Sequence, residues 1–232
     1  MFGDPDVNPM GWPKVTFEEI SEIITDGEHA TPKRVDNGIY LLSARNVLNH
    51  ELSLTEVDYI DQEEYSRISK RIIPKAGDVL ISCSGTVGRV CTVPKDLKFQ
   101  MVRSIALVRF VKEINPVFME YQISMPYVQN QIDASKSQTS QANLFQGKIK
   151  KLTVIVPPTE LQNSFLQFVE QADKSKFDGA NRNLSRCLVG WIQTKKDGKR
   201  NRLKHMPMFL LDILFPAKAT LKKGYELSAD TT

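Results

Sequence analysis

The chain has 232 residues, of which 41% are hydrophobic and 25% charged, and this composition excludes wholesale disorder. The chain has no run of about 20 apolar residues that could cross a bilayer. Its N-terminus lacks the apolar segment of a secretory signal, so we expect a cytoplasmic protein with no membrane contact. Residues 178–232 hold 11 of the 31 Lys and Arg but 5 of the 27 Asp and Glu, so residues 1–177 carry a net charge of −2 and the basic character of the chain comes from its tail.

The first third of the chain predicts two short helices and a strand. Residues 17–24 are expected to form an amphipathic helix because their apolar side chains recur every three or four positions, with Thr16 as its N-cap. Residues 25–38 are rich in turn formers and predict an exposed loop. The apolar segment Ile39–Leu42 predicts a strand, and residues 61–68 predict the second helix.

A hairpin, a further strand and two helices are predicted in the middle of the chain. Residues 78–82 and 88–93 favour two buried strands joined by a turn at residues 84–86. Asn115 and Pro116 are typical of the N-cap and first turn of a helix, which is expected to run to residue 123. The remaining predicted elements are a strand at 104–111, a second helix at 124–134, a polar loop at 135–143 and a strand at 152–156.

A helix with a one-sided apolar seam is predicted after the proline pair at 157 and 158. Thr159 and Gln162 have the spacing of a capping box, in which each side chain caps the other residue's backbone. Both an inter-helix interface and an ordinary core contact fit the seam. It consists of Leu161, Phe165, Phe168 and Ala172 and ends near residue 177.

Two groups of polar residues in the first third of the chain are candidates for DNA contact. Thr31, Lys33 and Arg34 lie in the predicted loop, and Arg45 and Asn46 follow the predicted strand. Arginine can donate two hydrogen bonds to guanine O6 and N7, asparagine suits adenine, and lysine suits phosphates. The alternative is a solvated basic loop without a ligand.

The glycine-rich turn between the two hairpin strands is a second candidate. The absence of Gly-Lys-Ser/Thr there argues against a nucleotide-binding loop. The turn chemistry by itself fits a plain hairpin turn.

A third candidate is the run of neutral hydrogen-bonding side chains between residues 137 and 143. Glutamine and asparagine can form paired hydrogen bonds with adenine, so an exposed loop of them could contact bases, although a flexible linker is the alternative. We name Gln138, Ser140, Gln141 and Asn143 as its DNA-contacting residues. Arg103 lies directly before the predicted strand at 104–111 and is either a DNA contact or part of a structural ion pair.

Catalytic interpretations of the sequence are poorly supported. The segment NPVF at 115–118 resembles part of an amino-methyltransferase motif but lacks its second proline, and helix capping explains it better. DLK at 96–98 has a nuclease-like Asp-x-Lys spacing without an upstream acid. The three cysteines and three histidines form no ligand cluster, so we expect no catalytic residue, no metal and no cofactor in this chain.

Several motifs, in order, resemble the specificity subunits of type I restriction–modification systems. The most specific match is GDVLIS at 77–82 followed by SGTVG at 84–88. The other matching segments are FGDP at 2–5 with GW at 11–12, TP at 31–32, and the strand and proline pair of 152–158 followed by ELQ. The resemblance covers about residues 2–177.

The resemblance implies a non-catalytic subunit that recognises double-stranded DNA. Members of that family carry two target-recognition domains, each for one half of a split site, separated by long helices that dock modification subunits. Those partners methylate adenine with S-adenosylmethionine, and through them a restriction subunit cleaves. The resemblance implies that neither S-adenosylmethionine nor ATP binds this chain. It also implies that the amides and hydroxyls of the glycine-rich turn contact the DNA backbone, with Ser84, Thr86 and Arg89 as the contact residues.

The resemblance also implies the fold class and the organisation of the chain. We expect an α+β, mixed-sheet target-recognition domain at 1–157, the start of a spacer helix at 158–177, and an atypical basic tail at 178–232. The chain looks like half of a specificity subunit, which is expected either to dock on a modification subunit or to form a homodimer. Two rival hypotheses are a fragment that docks partners without selective DNA binding and a small nuclease or methyltransferase.

Overall fold

The computed structural model describes residues 5–135 and 143–171. Those residues up to Phe168 belong to one compact unit. The strands are β1 (Lys14–Thr16), β2 (Ser21–Asp26), β3 (Ile39–Leu42), β4 (Val47–Leu48), β5 (Glu51–Leu52), β6 (Asp58–Ile60), β7 (Val79–Ser82), β8 (Val90–Thr92), β9 (Phe99–Met101), β10 (Ile105–Phe110) and β11 (Thr153–Ile155). The helices are α1 (Gln62–Ser69), α2 (Pro116–Ser124), α3 (Pro126–Ser135), α4 (Gln146–Ile149) and α5 (159–171), with a 3-10 turn at Ala44–Asn46.

An antiparallel sheet with the strand order β2-β10-β7-β8 lies at the centre of the unit. Every residue of β7 is buried, as are five of the six residues of β10, so both faces of this sheet are covered. Continuous apolar runs, rather than alternating ones, are the sequence pattern of such strands. One face packs on α2, α3 and α4 through residues such as Ile81 and Val108, and the other carries Leu80 and Leu107.

A second, mixed sheet with the strand order β6-β3-β9 covers the other face. Strand β3 pairs with β9 in parallel and with β6 antiparallel, and Leu42, Phe99 and Met101 pack against Leu80 and Leu107 of the central sheet. The sheets and helices together confirm the predicted α+β class. Two smaller pairs, β1 with β11 and β4 with β5, complete the described strands.

Local capping explains where two of the helices begin. The Asp61 side chain accepts a hydrogen bond from the backbone of Glu64 and so caps α1. The Asn115 side chain accepts from the backbones of Val117 and Phe118, with Pro116 in the first turn of α2. These helices, the 78–93 hairpin and the strands around residues 40, 107 and 154 confirm the predictions made from the sequence.

The predicted helix at 17–24 is wrong. Residues 17–20 form a single turn, and the chain then continues as β2, with Ile24 opposite Val108 of β10. The Ile23 side chain packs on one core and the Ile24 side chain on the other, whereas a helix would have placed both on one face. Pairing with β10 supplies the backbone hydrogen bonds that a helix would otherwise supply, so tertiary structure overrides the local pattern.

The predicted capping box at the start of α5 is also wrong. The Gln162 side chain donates to the Pro157 carbonyl at 2.8 Å and accepts from the Asn115 backbone at 2.8 Å. The Thr159 hydroxyl donates to the Glu113 carbonyl at 3.0 Å. Both side chains therefore bind the start of α5 to the segment that begins α2, instead of capping each other's backbone.

Candidate nucleic-acid interface

Four strands from the two sheets end at one edge of the unit. The Glu28 backbone after β2 donates to Met101 of β9 at 2.8 Å, and the Val102 backbone donates to Leu42 of β3 at 3.0 Å. The Cys83 backbone after β7 donates to Ser104 at 2.8 Å. These bonds bring together segments that are far apart in sequence. We call the segments 27–34, 43–46, 83–89, 102–104 and 143 the recognition edge.

The loop at 27–34 is held against α1 by a carboxylate and an arginine. The Glu64 side chain, which is buried, accepts a hydrogen bond from the Lys33 backbone at 3.1 Å and another from Arg67 at 2.8 Å. The hydrogen bond from Arg67 holds the pKa of the Glu64 carboxyl below its usual value. Arg67 also lies 3.6 Å from Glu28. These contacts hold the loop against α1 and leave the Thr31 and Lys33 side chains exposed beside a cleft.

Arg34 and Arg45 share one carboxylate. Arg34 Nε donates to Asp58 Oδ2 and Arg45 Nη2 donates to Asp58 Oδ1, each at 2.8 Å. The hydrogen bond from Arg34 keeps the pKa of Asp58 below its usual value despite partial desolvation, so the carboxylate stays charged in mildly acidic solution. The pair of arginines retains a net positive charge after this interaction, and about half of each side chain is exposed.

Asn46 does not present its amide to a ligand, and the structure corrects its assignment as a DNA contact. Its side chain is 1% exposed. Asn46 Oδ1 accepts from the Ser43 backbone at 2.9 Å, and Nδ2 donates to the carbonyls of Ser53 and Glu56 at 3.1 and 3.0 Å. Both amide donors are in use, so Asn46 is a structural residue of the 43–56 segment.

The glycine-rich hairpin turn forms as predicted, and its side chains differ in exposure. The Ser82 hydroxyl donates to the Thr86 carbonyl at 2.6 Å and accepts from the Arg89 backbone at 2.9 Å. Gly85 and Gly88 have positive φ angles of 68° and 94°, which suit a tight turn. Thr86 is exposed, and Ser84 and Arg89 are half-buried. DNA contact by these three residues stays a prediction.

Arg103 lies on the recognition edge without an ion-pair partner among the described residues. Its side chain is exposed, and its backbone donates to the Glu28 carbonyl at 2.9 Å. The adjacent Ser104 hydroxyl accepts from the Ala44 backbone at 3.0 Å. The alternative assignment of Arg103 to a structural ion pair therefore has no support in this part of the chain.

Asn143 joins the recognition edge from the far end of the polar loop. It pairs with Ser84 in an isolated antiparallel bridge, and the next residue, Leu144, donates its backbone N–H to Cys83 at 2.9 Å. The other candidate residues of that loop, Gln138, Ser140 and Gln141, lie outside the described residues.

A family model of the type I restriction modification DNA specificity domain matches residues 9–184 of this chain. The chain belongs to that family. The matched span includes the whole recognition edge and α5.

Relatives of this specificity domain are longer than the chain. It is 26% identical over 141 residues to the type I restriction enzyme EcoBI specificity subunit of Escherichia coli, a match that covers 59% of this chain and 29% of that protein. The fold resembles a chain of a type I R-M system, with a TM-score of 0.53, 17% identity and coverage of 72% and 39%. It also resembles the HsdS subunit from Thermoanaerobacter tengcongensis, with a TM-score of 0.50, 17% identity and coverage of 72% and 38%. The specificity domain thus spans about a third of the length of these relatives.

The apolar seam of the specificity domain divides into an inward and an outward part. Phe165 packs edge-to-face on Phe118 and Tyr121 of α2, at ring-centroid distances of 5.7 and 5.3 Å. Leu161 and Phe168 are exposed, Phe168 by 60%. The seam residue Ala172 lies outside the described residues. Phe165 is therefore in part a core residue, and Leu161 and Phe168 remain the interface candidates.

Three residues that shape the recognition edge have no counterpart in the sequence predictions. They are Asp58, Glu64 and Arg67, which hold the two arginines and the 27–34 loop. Asp58 is 24 residues from Arg34 and 13 from Arg45, so no local spacing connects them. The acidic character of residues 51–64 is visible in the sequence, but the partners of its carboxylates are not.

Within the described residues of the specificity domain, no helix is both long and apolar enough to cross a membrane. The same part of the chain has no group of three His, Cys, Asp or Glu side chains placed to hold a metal ion.

Proposed function

We propose that this chain recognises one half-site of double-stranded DNA as a target-recognition domain of a type I restriction–modification specificity subunit. The recognition edge is the observation that carries the proposal. It brings together basic residues from four separate segments. Lys33, Arg34, Arg45 and Arg103 are exposed, and Arg89 is half-buried.

The segregation of charge supports DNA as the ligand. Residues 1–177 carry a net charge of −2, so long-range attraction to DNA is weak and local positive potential must supply the affinity. Two acids beside the edge, Asp58 and Glu64, are hydrogen-bonded to arginine side chains, and Glu64 also accepts from the Lys33 backbone. Hydroxyls such as those of Thr31 and Thr86 are exposed beside the cations and can donate to phosphate oxygens.

The proposed role is non-catalytic. Methylation and cleavage would be the work of partner modification and restriction subunits, and the chain would supply the DNA sequence preference. A rival role is a fragment that docks partners without binding DNA selectively. The two differ in one observable, since only the first gives an enriched sequence when duplexes from a random pool are selected by the chain.

A selection from random duplexes, with and without the modification subunit, tests the function together with a prediction for Lys33. The Lys33→Ala variant is expected to weaken binding to all sequences alike and to lower the salt slope by about one, because an ammonium group contacts phosphates. Lys95→Ala is the matched control, since this exposed lysine follows β8 at the opposite end of the central sheet.

The outcomes of this experiment are distinct. Wild-type chain that enriches no sequence under either condition would contradict the proposed function. Enrichment by the wild type, with a changed sequence preference in Lys33→Ala, would show that Lys33 contacts bases. Equal salt slopes for the Lys33 and Lys95 variants would show that Lys33 does not contact DNA phosphates.

Docking on a modification subunit is the proposed assembly, with a homodimer as its rival. Phe168→Asp is expected to weaken the association at least about tenfold, because burying a Phe side chain contributes about 1.5–3 kcal/mol. Gln167→Asp adds the same charge at a neighbouring exposed position and is the control. Phe165→Asp is unsuitable alone, since Phe165 also packs on Phe118 and Tyr121.

Light scattering of each variant, with and without the modification subunit, measures this association. Equal effects of the Phe168 and Gln167 substitutions would show that Phe168 lies outside the interface. A wild-type chain that dimerises in the absence of the subunit would favour the homodimer, whose two-fold symmetry requires a palindromic target.

A further inference from the structure

Asp58 holds Arg34 by the side of its guanidinium group. The bond runs from Arg34 Nε to Asp58 Oδ2, at 2.8 Å, and leaves the two terminal nitrogens at the tip of the side chain. Of these, Nη1 has a marginal contact of 3.5 Å with the Pro32 carbonyl, and Nη2 has no hydrogen-bond partner in the described part of the chain. The side chain is 45% exposed on the recognition edge. A two-donor fork is thus fixed in direction and open to a ligand.

Arg45 is held differently by the same carboxylate. Its bond to Asp58 Oδ1 uses Nη2, which has one hydrogen in each of the two-donor edges of a guanidinium group. Only the Arg34 bond, which is made at Nε, necessarily leaves the two-donor edge at the tip of the side chain whole. Its charge still offsets that of Asp58, so the carboxylate does not repel an approaching phosphate backbone.

A fixed pair of parallel donors matches one base in the major groove. Guanine presents two neighbouring acceptors there, O6 and N7, while adenine places a donor beside N7 and the pyrimidines lack the second acceptor. An arginine fork already ordered by a carboxylate loses less side-chain entropy on binding than a free one. The donor set at Arg34 therefore selects guanine over the other three bases.

We infer that Arg34 recognises a guanine in the half-site and that Asp58 is the positioning residue that aims its fork, with Arg45 compensating the Asp58 charge. This inference rests on the proposed function and adds to it a base and a division of roles. It predicts that the selected half-site contains at least one position where guanine is strongly preferred.

The test uses the full chain and duplexes selected by it, measured at low salt so that weak binding is observed. Arg34→Lys keeps the charge but removes the fork, so it is expected to lose about 10- to 100-fold of the guanine preference at one position while its salt slope is unchanged. Replacing that guanine by 7-deazaguanine, which lacks the N7 acceptor, should weaken the wild type and leave Arg34→Lys unaffected. Arg45→Lys is the matched control and should keep the preference.

Asp58→Asn tests the positioning role separately. The asparagine keeps the shape of the side chain but not its charge, so the guanine preference should fall several-fold while affinity for random duplex rises, because the edge becomes more positive. A purely structural role for Asp58 would change stability, followed by thermal unfolding, without moving the two affinities in opposite directions.

Each outcome bears on a separate claim. A guanine preference that survives in Arg34→Lys, or a wild-type site at which no 7-deazaguanine weakens binding, would overturn the inference and leave the proposed function standing. A wild type without any sequence preference would overturn both. If Arg34→Lys loses the guanine preference and Asp58→Asn retains it, the guanine contact of Arg34 stands and the positioning role of Asp58 is refuted.

Discussion

Replacing Arg109 by alanine is expected to lower the free energy of unfolding by about 3–5 kcal/mol, because it leaves a buried carboxylate without its cation. The Asp78 side chain is 2% exposed and accepts two hydrogen bonds from Arg109, from Nε and Nη2, each at 2.7 Å. Asp78 also accepts from the Lys75 backbone at 2.7 Å, so it holds the turn that leads into β7. The strand that carries the hairpin turn of the recognition edge depends on this carboxylate.

Urea unfolding followed by circular dichroism measures the Arg109 effect. Arg45→Ala is the control, because its partner Asp58 is partly exposed and exposed pairs contribute about 0–1 kcal/mol. A loss below about 1 kcal/mol for Arg109→Ala would show that solvent or a neighbouring group satisfies Asp78 in its absence.

A methyl group at position 27 is expected to destabilise the unit by about 3 kcal/mol or more and to abolish selective DNA binding. A Cβ atom built on Gly27 would lie 2.3 Å from the Met101 carbonyl oxygen and 2.5 Å from that of Val102. Both atoms belong to the backbone, so no change of rotamer relieves the overlap and the strands must separate. The contact between the ends of β2 and β9, on which the recognition edge is built, would be lost.

Gly147→Ala is the matched control for Gly27→Ala. No atom lies within 4 Å of a Cβ at Gly147, which is in α4, so alanine there should be neutral or stabilise the unit by up to about 1 kcal/mol. Thermal unfolding and duplex binding of both variants give the comparison. Unchanged binding in Gly27→Ala would mean that the recognition edge tolerates separation of β2 from β9.

Local signals in the sequence were sufficient for much of the fold. Asn115 followed by Pro116 predicted the start of α2, and Asp61 lies where α1 is capped. The apolar runs of β7 and β10 and the glycines between residues 84 and 89 predicted the buried hairpin and its turn. Each of these features depends on contacts between residues close in sequence, which is why periodicity and capping chemistry report them.

The order of the motifs also determined the family. GDVLIS at 77–82 lies in the turn and strand that Asp78 stabilises. This motif therefore contributes to the fold, in addition to carrying the family resemblance. The side-chain chemistry of Lys33, Arg34 and Arg103 indicated a DNA ligand, and the structure places all three on one edge.

Tertiary structure alone decided which polar side chains face solvent. Asn46 has the chemistry to contact adenine, yet it is buried with both amide donors occupied, whereas Arg34 is exposed and fixed by Asp58. Ile23 and Ile24 fall on opposite faces of a strand instead of one face of a helix. Sequence determines what a side chain can bind. Its exposure and orientation depend on contacts between residues far apart in sequence, here between β2 and β10 and between Arg34 and Asp58, and no local pattern encodes those contacts.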